Sequence, residues 1–258
     1  MARRILITSG KGGVGKTSVA AHLGYALSQM GNRVVAIDMD AGLNNLDVVM
    51  GVENKVVYDL SDVIEGKCRV KQSIIECSQT LAIIPSAKGF DRDFSSKNLN
   101  SLTEGLSTRF DYVLIDSPAG IDVGFRRAAC SADEVILVVT PTLTSLRDAD
   151  KVLTILQNYD LKKTGVVVNK VRGDLLLRGA VVDLNEIQAV LKCPVIGCIP
   201  EDDSVYLCSG LNLYKSRAQK AFKMLAKYVD KGKGKIYDAT AFYRGAGGAI
   251  RRAIRGNI

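Results

Sequence analysis

The sequence predicts an α/β fold, a doubly wound and mostly parallel sheet flanked by helices. Three observations carry that prediction. Seven short apolar runs recur along the chain, and most are continuous rather than alternating, the mark of strands buried on both faces. Helical patterns separate these runs, as a parallel sheet requires. The first run leads directly into Gly10–Lys11–Gly12–Gly13–Val14–Gly15–Lys16–Thr17, which fits a phosphate-binding loop set between a strand and a helix.

In chain order, the first strand is expected at 5–8 and the first helix at 18–30. Further strands are expected at 33–37, 81–84, 112–115, 134–139, 165–168 and 195–199. Pro85 closes the third of these seven. Helices are expected at 59–64, 99–108, 145–159, 183–191 and 218–229. Within 145–159, Leu146, Ala149, Leu153 and Leu156 make one apolar stripe at 3/4 spacing. The run Lys231–Gly232–Lys233–Gly234–Lys235 reads as a linker that ends the body. The expected organisation is a catalytic domain over 1–230, a basic linker over 231–240 and a basic, weakly amphipathic tail over 241–258.

With 258 residues, 47% of them hydrophobic, the chain can bury one substantial core. No apolar run has transmembrane length or signal-peptide form, so a cytosolic protein is expected. Six cysteines stand at 68, 77, 130, 193, 198 and 208, none in a C-x-x-C pair, which argues for reduced thiols rather than a zinc or cluster site. His22, the single histidine, lies inside the first helix and reads as a packing or surface residue. The net charge of +8 is uneven. Residues 215–258 hold twelve Lys or Arg against two acids, a surplus of +10 that leaves residues 1–214 at −2. Such a tail suits an anionic partner, either lipid or nucleic acid.

The loop states its own chemistry. Glycines let the backbone curl around anionic oxygens, and the following helix start offers unpaired N–H groups. Gly10, Lys11, Gly12, Gly13, Val14, Gly15, Lys16, Thr17 and Ser18 are therefore the candidate nucleotide-binding segment. Lys16 is placed to reach the β/γ-phosphates, and the Thr17 hydroxyl to ligate Mg²⁺. Two apolar strands deliver carboxylates at their ends, Asp38 and Asp116, where open α/β sheets bind ligands. A strand ending in Asp, as 112–115 ends in Asp116, is the pattern of a carboxylate that holds Mg²⁺ through water.

Lys11 goes beyond the general motif. The form K-G-G-x-G-K-T resembles the deviant Walker A family of P-loop ATPases, which includes Min-system, chromosome-partitioning, nitrogenase iron protein and arsenical-pump ATPases. The stretches D-M-D-A-G-L-x-N-L-D and D-S-P-A-G-I, with 57–66, 145–150 and 199–205, are similar to the Min branch, which helps place the division site. The likeness runs from Arg3 to about Leu213. It implies that Lys11 crosses a dimer interface to the partner's phosphates, that Asp40 orients or activates the attacking water and that Asn45 holds it. It also implies that Asp38 supports the Mg²⁺ shell beside Thr17 and Asp116, and that Gly120 lets the second switch move. The adenine contacts it implies are the Asn169 side chain and the Pro200, Glu201 and Asp202 backbone. Cys130 is at best a weak match to the cluster cysteines of the nitrogenase relatives.

The resemblance further implies ATP or ADP with Mg²⁺ as ligands and a homodimer when ATP is bound. Implied partners are division-inhibitor and topological-specificity proteins and, through the tail, anionic lipid on the inner membrane face. The tail departs from that branch. Ile250 and Ile254, with Ala246, Ala249 and Ala253, give a thin apolar face beside Arg251, Arg252 and Arg255. Alanine buries little area, and insertion scales with apolar area at ~25 cal/mol per Å². The expected function is an ATP-hydrolysing dimerisation switch that binds the membrane reversibly and helps position the septum. A DNA-binding partitioning ATPase and a flagellar-positioning relative are the alternatives. A metabolic kinase fits less well, since no separate acceptor-binding insert is present.

Overall fold

The computed structural model describes residues 2–40, 45–86, 95–207, 211, 213 and 215–255. Outside the described residues lie 41–44 of the expected first switch, Cys208, residues 256–258, and the side chains of Ala249, Ile250, Ala253, Ile254 and Arg255 in the tail.

Strand β1 (Arg3–Thr8) leads into α1 (Lys16–Ser28). Then come β2 (Val34–Asp38), α2 (Leu46–Met50), α3 (Leu60–Ile64), α4 (Val70–Ser73), β3 (Ile75–Glu76) and β4 (Leu81–Ile84). The middle of the chain forms α5 (Ser96–Leu106), β5 (Tyr112–Asp116), α6 (Val123–Cys130), β6 (Glu134–Val139) and α7 (Leu143–Leu156). The last third forms β7 (Lys163–Val171), α8 (Gly173–Leu177), α9 (Leu184–Leu191), β8 (Val195–Pro200), α10 (Ser204–Leu207), α11 (Arg217–Lys231) and α12 (Gly245–Arg255).

The sheet order is β3-β4-β2-β5-β1-β6-β7-β8. All pairings are parallel except that of β3 with β4. At two residues, β3 is too short to leave an apolar run, so the sequence pattern does not reveal it. The chain leaves β1 on one side and returns to its other side at β6. That reversal puts a crevice at the carboxyl end of β1, where the glycine loop begins.

Alternation along each strand builds two cores. Leu6, Val113, Ile115 and Leu137 face one layer with Phe125, Leu146 and Ile187. Ile5, Ile7, Leu114 and Ile136 face the other with Leu23, Leu27, Phe222 and Leu225. Burying each such side chain contributes ~1.5–3 kcal/mol. Local signals set the helix starts. Asp59 and Asp183 cap α3 and α9 with reciprocal side-chain bonds. The Thr142 hydroxyl accepts from the Ser145 N–H, which starts α7 two residues before the expected position.

The stretch 231–240 is only partly a linker. Residues 231–235 are exposed, but Ile236 and Tyr237 pack against the core, and Ala239 and Thr240 are buried. Tyr243 is buried as well, so the packed body continues past 230. Arg251 donates to the Phe242 carbonyl at 2.9 Å, and Arg252 donates to the Tyr243 carbonyl, which seats α12 against this segment.

His22 is buried on α1 with its ring 5.0 Å from Phe222. Its Nδ1 has no hydrogen-bond partner among the described residues. Burial lowers its pKa to about 4. In the unfolded chain it titrates near ~6.5, so between pH 6.5 and 4 the unfolded state binds the proton and the native state does not. The imidazole therefore withdraws stability as pH falls through that window, by about 3 kcal/mol at most. Denaturant titrations of the parent and of His22→Phe should diverge below pH 6.5, with the parent losing more. Parallel pH profiles would refute this.

Candidate nucleotide site

The loop from Gly10 to Thr17 joins β1 to α1 across a cleft of about 510 Å³. Gly15 caps α1 with φ 90° and ψ 35°, and no side chain bonds the helix start. The first amides of α1 are thus left for an anion. A Cβ at Gly15 would also lie 2.5 Å from the Asn169 amide nitrogen, so glycine is required twice over. Gly10 is required for a different reason, because a Cβ there would lie 2.4 Å from the Asp148 backbone on α7.

Two residues after the sixth predicted strand hold the loop from behind. Asn169 donates its Nδ2 to the Val14 carbonyl at 2.8 Å, and Lys170 donates its Nζ to the Gly13 carbonyl at 2.7 Å. In a planar trans peptide unit the C=O and N–H point opposite ways. Anchoring these two carbonyls therefore aims the Val14 and Gly15 N–H groups. Asn169, expected to contact the base, lines the cleft, and part of its amide is already used on the loop. Asn169→Ala would leave a buried carbonyl unpaired, and MgADP affinity should fall by about tenfold. Isothermal calorimetry checks this, and unchanged affinity would remove the buttressing role.

Lys16 is buried at the cleft, within electrostatic reach of Asp40 and Asp116. It makes no ion pair among the described residues. The ends of β2 and β5 place Asp38 and Asp116 side by side in parallel register. Both are about 1% exposed, but their surroundings differ. Asp38 accepts the Asp40 N–H at 2.9 Å and the Leu46 N–H at 3.2 Å. Its carboxylate thus ties down both flanks of 41–44. Neither oxygen of Asp116 has a hydrogen-bond partner in acceptable geometry among the described residues. Burial, and then the neighbouring Asp38, hold Asp116 far above the usual carboxylate range; Thr17 and Lys16 offset this only in part. Burial likewise raises Asp38 and Asp40.

An orphaned buried carboxylate beside Thr17 is what a hydrated divalent cation would complete. No group of three or more His, Cys, Asp or Glu among the described residues is arranged to hold a metal alone. That suits Mg²⁺, which takes few carboxylates and fills its shell with water and phosphate oxygens.

Gly12, Gly13, Gly15, Lys16, Thr17, Ser18, Asp40, Asn45, Asn169, Pro200, Glu201 and Asp202 all line the cleft. Gly10 and Val14 do not: Gly10 packs on α7, and Val14 is buried as the anchor of the loop. Lys11 does not line it either, since its Nζ donates to the Thr144 hydroxyl at 3.1 Å on α7. Sequence reasoning missed Lys170 as a loop clamp, and Val48, Pro118 and Val205 as walls. It also missed Arg217, which donates to the Glu201 carbonyl at 3.2 Å and to the Tyr243 hydroxyl at 3.3 Å. Lys170, Val48, Pro118 and Val205 lie in or beside motif stretches already singled out in the sequence, whereas Arg217 adjoins none of them.

Comparison with known proteins agrees with this geometry. The family model for the CobQ/CobB/MinD/ParA nucleotide binding domain matches residues 5–213. The chain is 38% identical over 239 residues to the septum site-determining protein MinD of Bacillus subtilis, covering 89% of each. It resembles the solved MinC:MinD cell division protein complex of Aquifex aeolicus at 35% identity and TM-score 0.83, covering 91% of this chain and 97% of that one. It also resembles the Pyrococcus horikoshii septum site-determining protein MinD solved with Mg-ADP, at 32% identity and TM-score 0.79, covering 90% and 97%.

Proposed function

The chain belongs to the CobQ/CobB/MinD/ParA family of nucleotide-binding domains, and from that membership we propose an ATP-driven dimerisation switch that helps position the division septum. It is a Mg²⁺-dependent ATPase of the MinD type, converting ATP and water to ADP and phosphate. The observation that carries the reading is Asp116, a wholly buried carboxylate left unpartnered beside the loop that ends in Lys16 and Thr17. When bound there, Mg²⁺ would neutralise the carboxylates and the phosphate oxygens together.

In this reading Thr17 and Asp116 hold the metal shell, and Asp38 orders the first switch around it. Lys16 stabilises charge on the β/γ-phosphate oxygens. Asp40 and Asn45, on the cleft wall, orient the attacking water. The Pro200–Asp202 turn and Asn169 flank the base. Lys11 stands outside its own cleft and reaches the phosphates of a second copy. The solved MinC:MinD cell division protein complex supports a protein partner, and in this reading that partner is a division inhibitor. Attachment to the inner membrane face is peripheral and reversible. No helix among the described residues is long and apolar enough to cross a membrane.

The test is calorimetry with MgATP and MgADP, paired with light scattering and phosphate release, on the parent and Lys11→Ala. The expected result is retained MgADP binding in the variant with loss of ATP-dependent dimerisation. Turnover should fall by about 10²-fold or more. Absence of any ATP heat in the folded parent would overturn the function. Unchanged dimerisation and turnover in Lys11→Ala would overturn the shared-site part alone.

A further inference from the structure

Every exposed residue of α11 is a lysine: Lys220, Lys223, Lys227 and Lys231. Their spacing of three and four residues puts them in one row on the helix, about 16 Å long at 1.5 Å per residue. Lys233 and Lys235, just beyond the helix end, are exposed as well. Among the described residues none of the six has a hydrogen-bond or ion-pair partner. The one acid on α11, Asp230, accepts instead from the Tyr112 hydroxyl at 2.8 Å. Like charges at these spacings work against a helix, and nothing within the described chain offsets them. The opposite face of α11 is buried against α1 and β8 through Ala218, Phe222, Leu225 and Val229, so the row cannot turn inward.

We propose that this lysine row is a docking surface for anionic lipid headgroups, an inference that rests on the membrane-associated reading above. The tail alone supplies little. Arg251 and Arg252 are engaged on the Phe242 and Tyr243 carbonyls, and Arg244 pairs with Asp238 at 3.2 Å. A bilayer offers charge across a whole plane, so a straight row engages it along its length. The exposed positions carry no amide or hydroxyl side chain of the sort that fixes register on a duplex. Phe242 adds to the choice. Its ring is 41% exposed and is contacted by Arg217 at 4.7 Å, at the start of α11, and by Arg251 at 4.1 Å. An interfacial position rewards an aromatic ring beside cations, whereas a phosphate backbone does not.

The experiment uses the full chain with MgATP, pelleted with phosphatidylserine–phosphatidylcholine vesicles, with pure phosphatidylcholine vesicles, and with duplex DNA. The test variant is K220Q/K223Q/K227Q/K231Q, and the control carries arginine at the same four positions. Circular dichroism and MgATP calorimetry confirm that each variant folds and binds nucleotide. Each lysine near the surface is worth about fivefold in partitioning. The glutamine variant should therefore lose at least tenfold on anionic vesicles while the arginine control keeps its binding. Equal pelleting of parent and glutamine variant would overturn the lysine row and leave tail-mediated attachment standing. No pelleting of the parent on either vesicle would overturn both. Lysine-dependent DNA binding without vesicle binding would overturn the lipid assignment in favour of nucleic acid.

Discussion

Lys16→Ala should reduce phosphate release by ~10²–10³-fold, the cost of removing one donor aimed at charge that develops in the transition state. Nucleotide affinity should fall less, by about 10–100-fold, since the lost contact is one charge-assisted hydrogen bond among several backbone ones. The structure explains why the effect is concentrated there. Lys16 is buried at the foot of the cleft and makes no ion pair among the described residues, so its charge is held for a ligand. Lys16→Arg should not rescue, because a planar fork does not fit a site shaped for a compact ammonium. Steady-state phosphate release and MgATP calorimetry on folded variants decide the matter. Turnover within threefold of the parent would remove Lys16 from the mechanism.

Asp116→Asn should separate stability from activity. In the nucleotide-free protein, burial and the adjacent Asp38 raise the Asp116 pKa well above its unfolded value. The sign follows from proton counting. Above about pH 4 the unfolded chain releases the proton while the native chain keeps it, so stability falls as pH rises toward the native pKa. A neutral amide removes that loss, and the variant should gain ~1–2 kcal/mol at neutral pH because its site no longer takes up a proton on folding. The same change should cost 10–100-fold in Mg²⁺-dependent turnover, the usual size when a group supporting a bound metal is lost. Denaturant midpoints from pH 5 to 8, with and without MgADP, measure the first effect, and phosphate release measures the second. The His22 contribution has the opposite slope below pH 6.5, so the two are resolved by comparing each variant with the parent. A variant less stable than the parent at neutral pH would refute the burial argument.

Much of this protein is legible in contiguous residues. The run Gly10 to Thr17 and the apolar strand that ends in Asp116 announce a phosphate site, because strand, turn and helix start are decided within a few residues of each other. Continuous apolar strands between amphipathic helices announce a doubly wound sheet for the same local reason. Of the binding residues expected from the sequence, Gly12, Gly13, Gly15 to Ser18, Asn169 and Pro200 to Asp202 line the cleft. The basic character of α11 is also visible in the sequence, but whether its lysines are exposed depends on which face packs.

What only the tertiary structure decided involves residues far apart in the chain. Asn169 and Lys170 clamp carbonyls 155 and 157 residues away. Asp38 and Asp116 become neighbours through parallel register, and then differ because backbone amides reach one and not the other. Arg217 bridges the turn at Glu201 to Tyr243, and Ile236, Tyr237, Ala239 and Thr240 pack where composition suggested a basic linker. Local preference and periodicity act over one turn or one strand, so the sequence by itself determined the loop, its flanking elements and the class of ligand. Which donors reach which acceptors is set by sheet order and layer packing, so the tertiary structure alone decided how the loop is held and which buried carboxylate is left without a hydrogen-bond partner among the described residues.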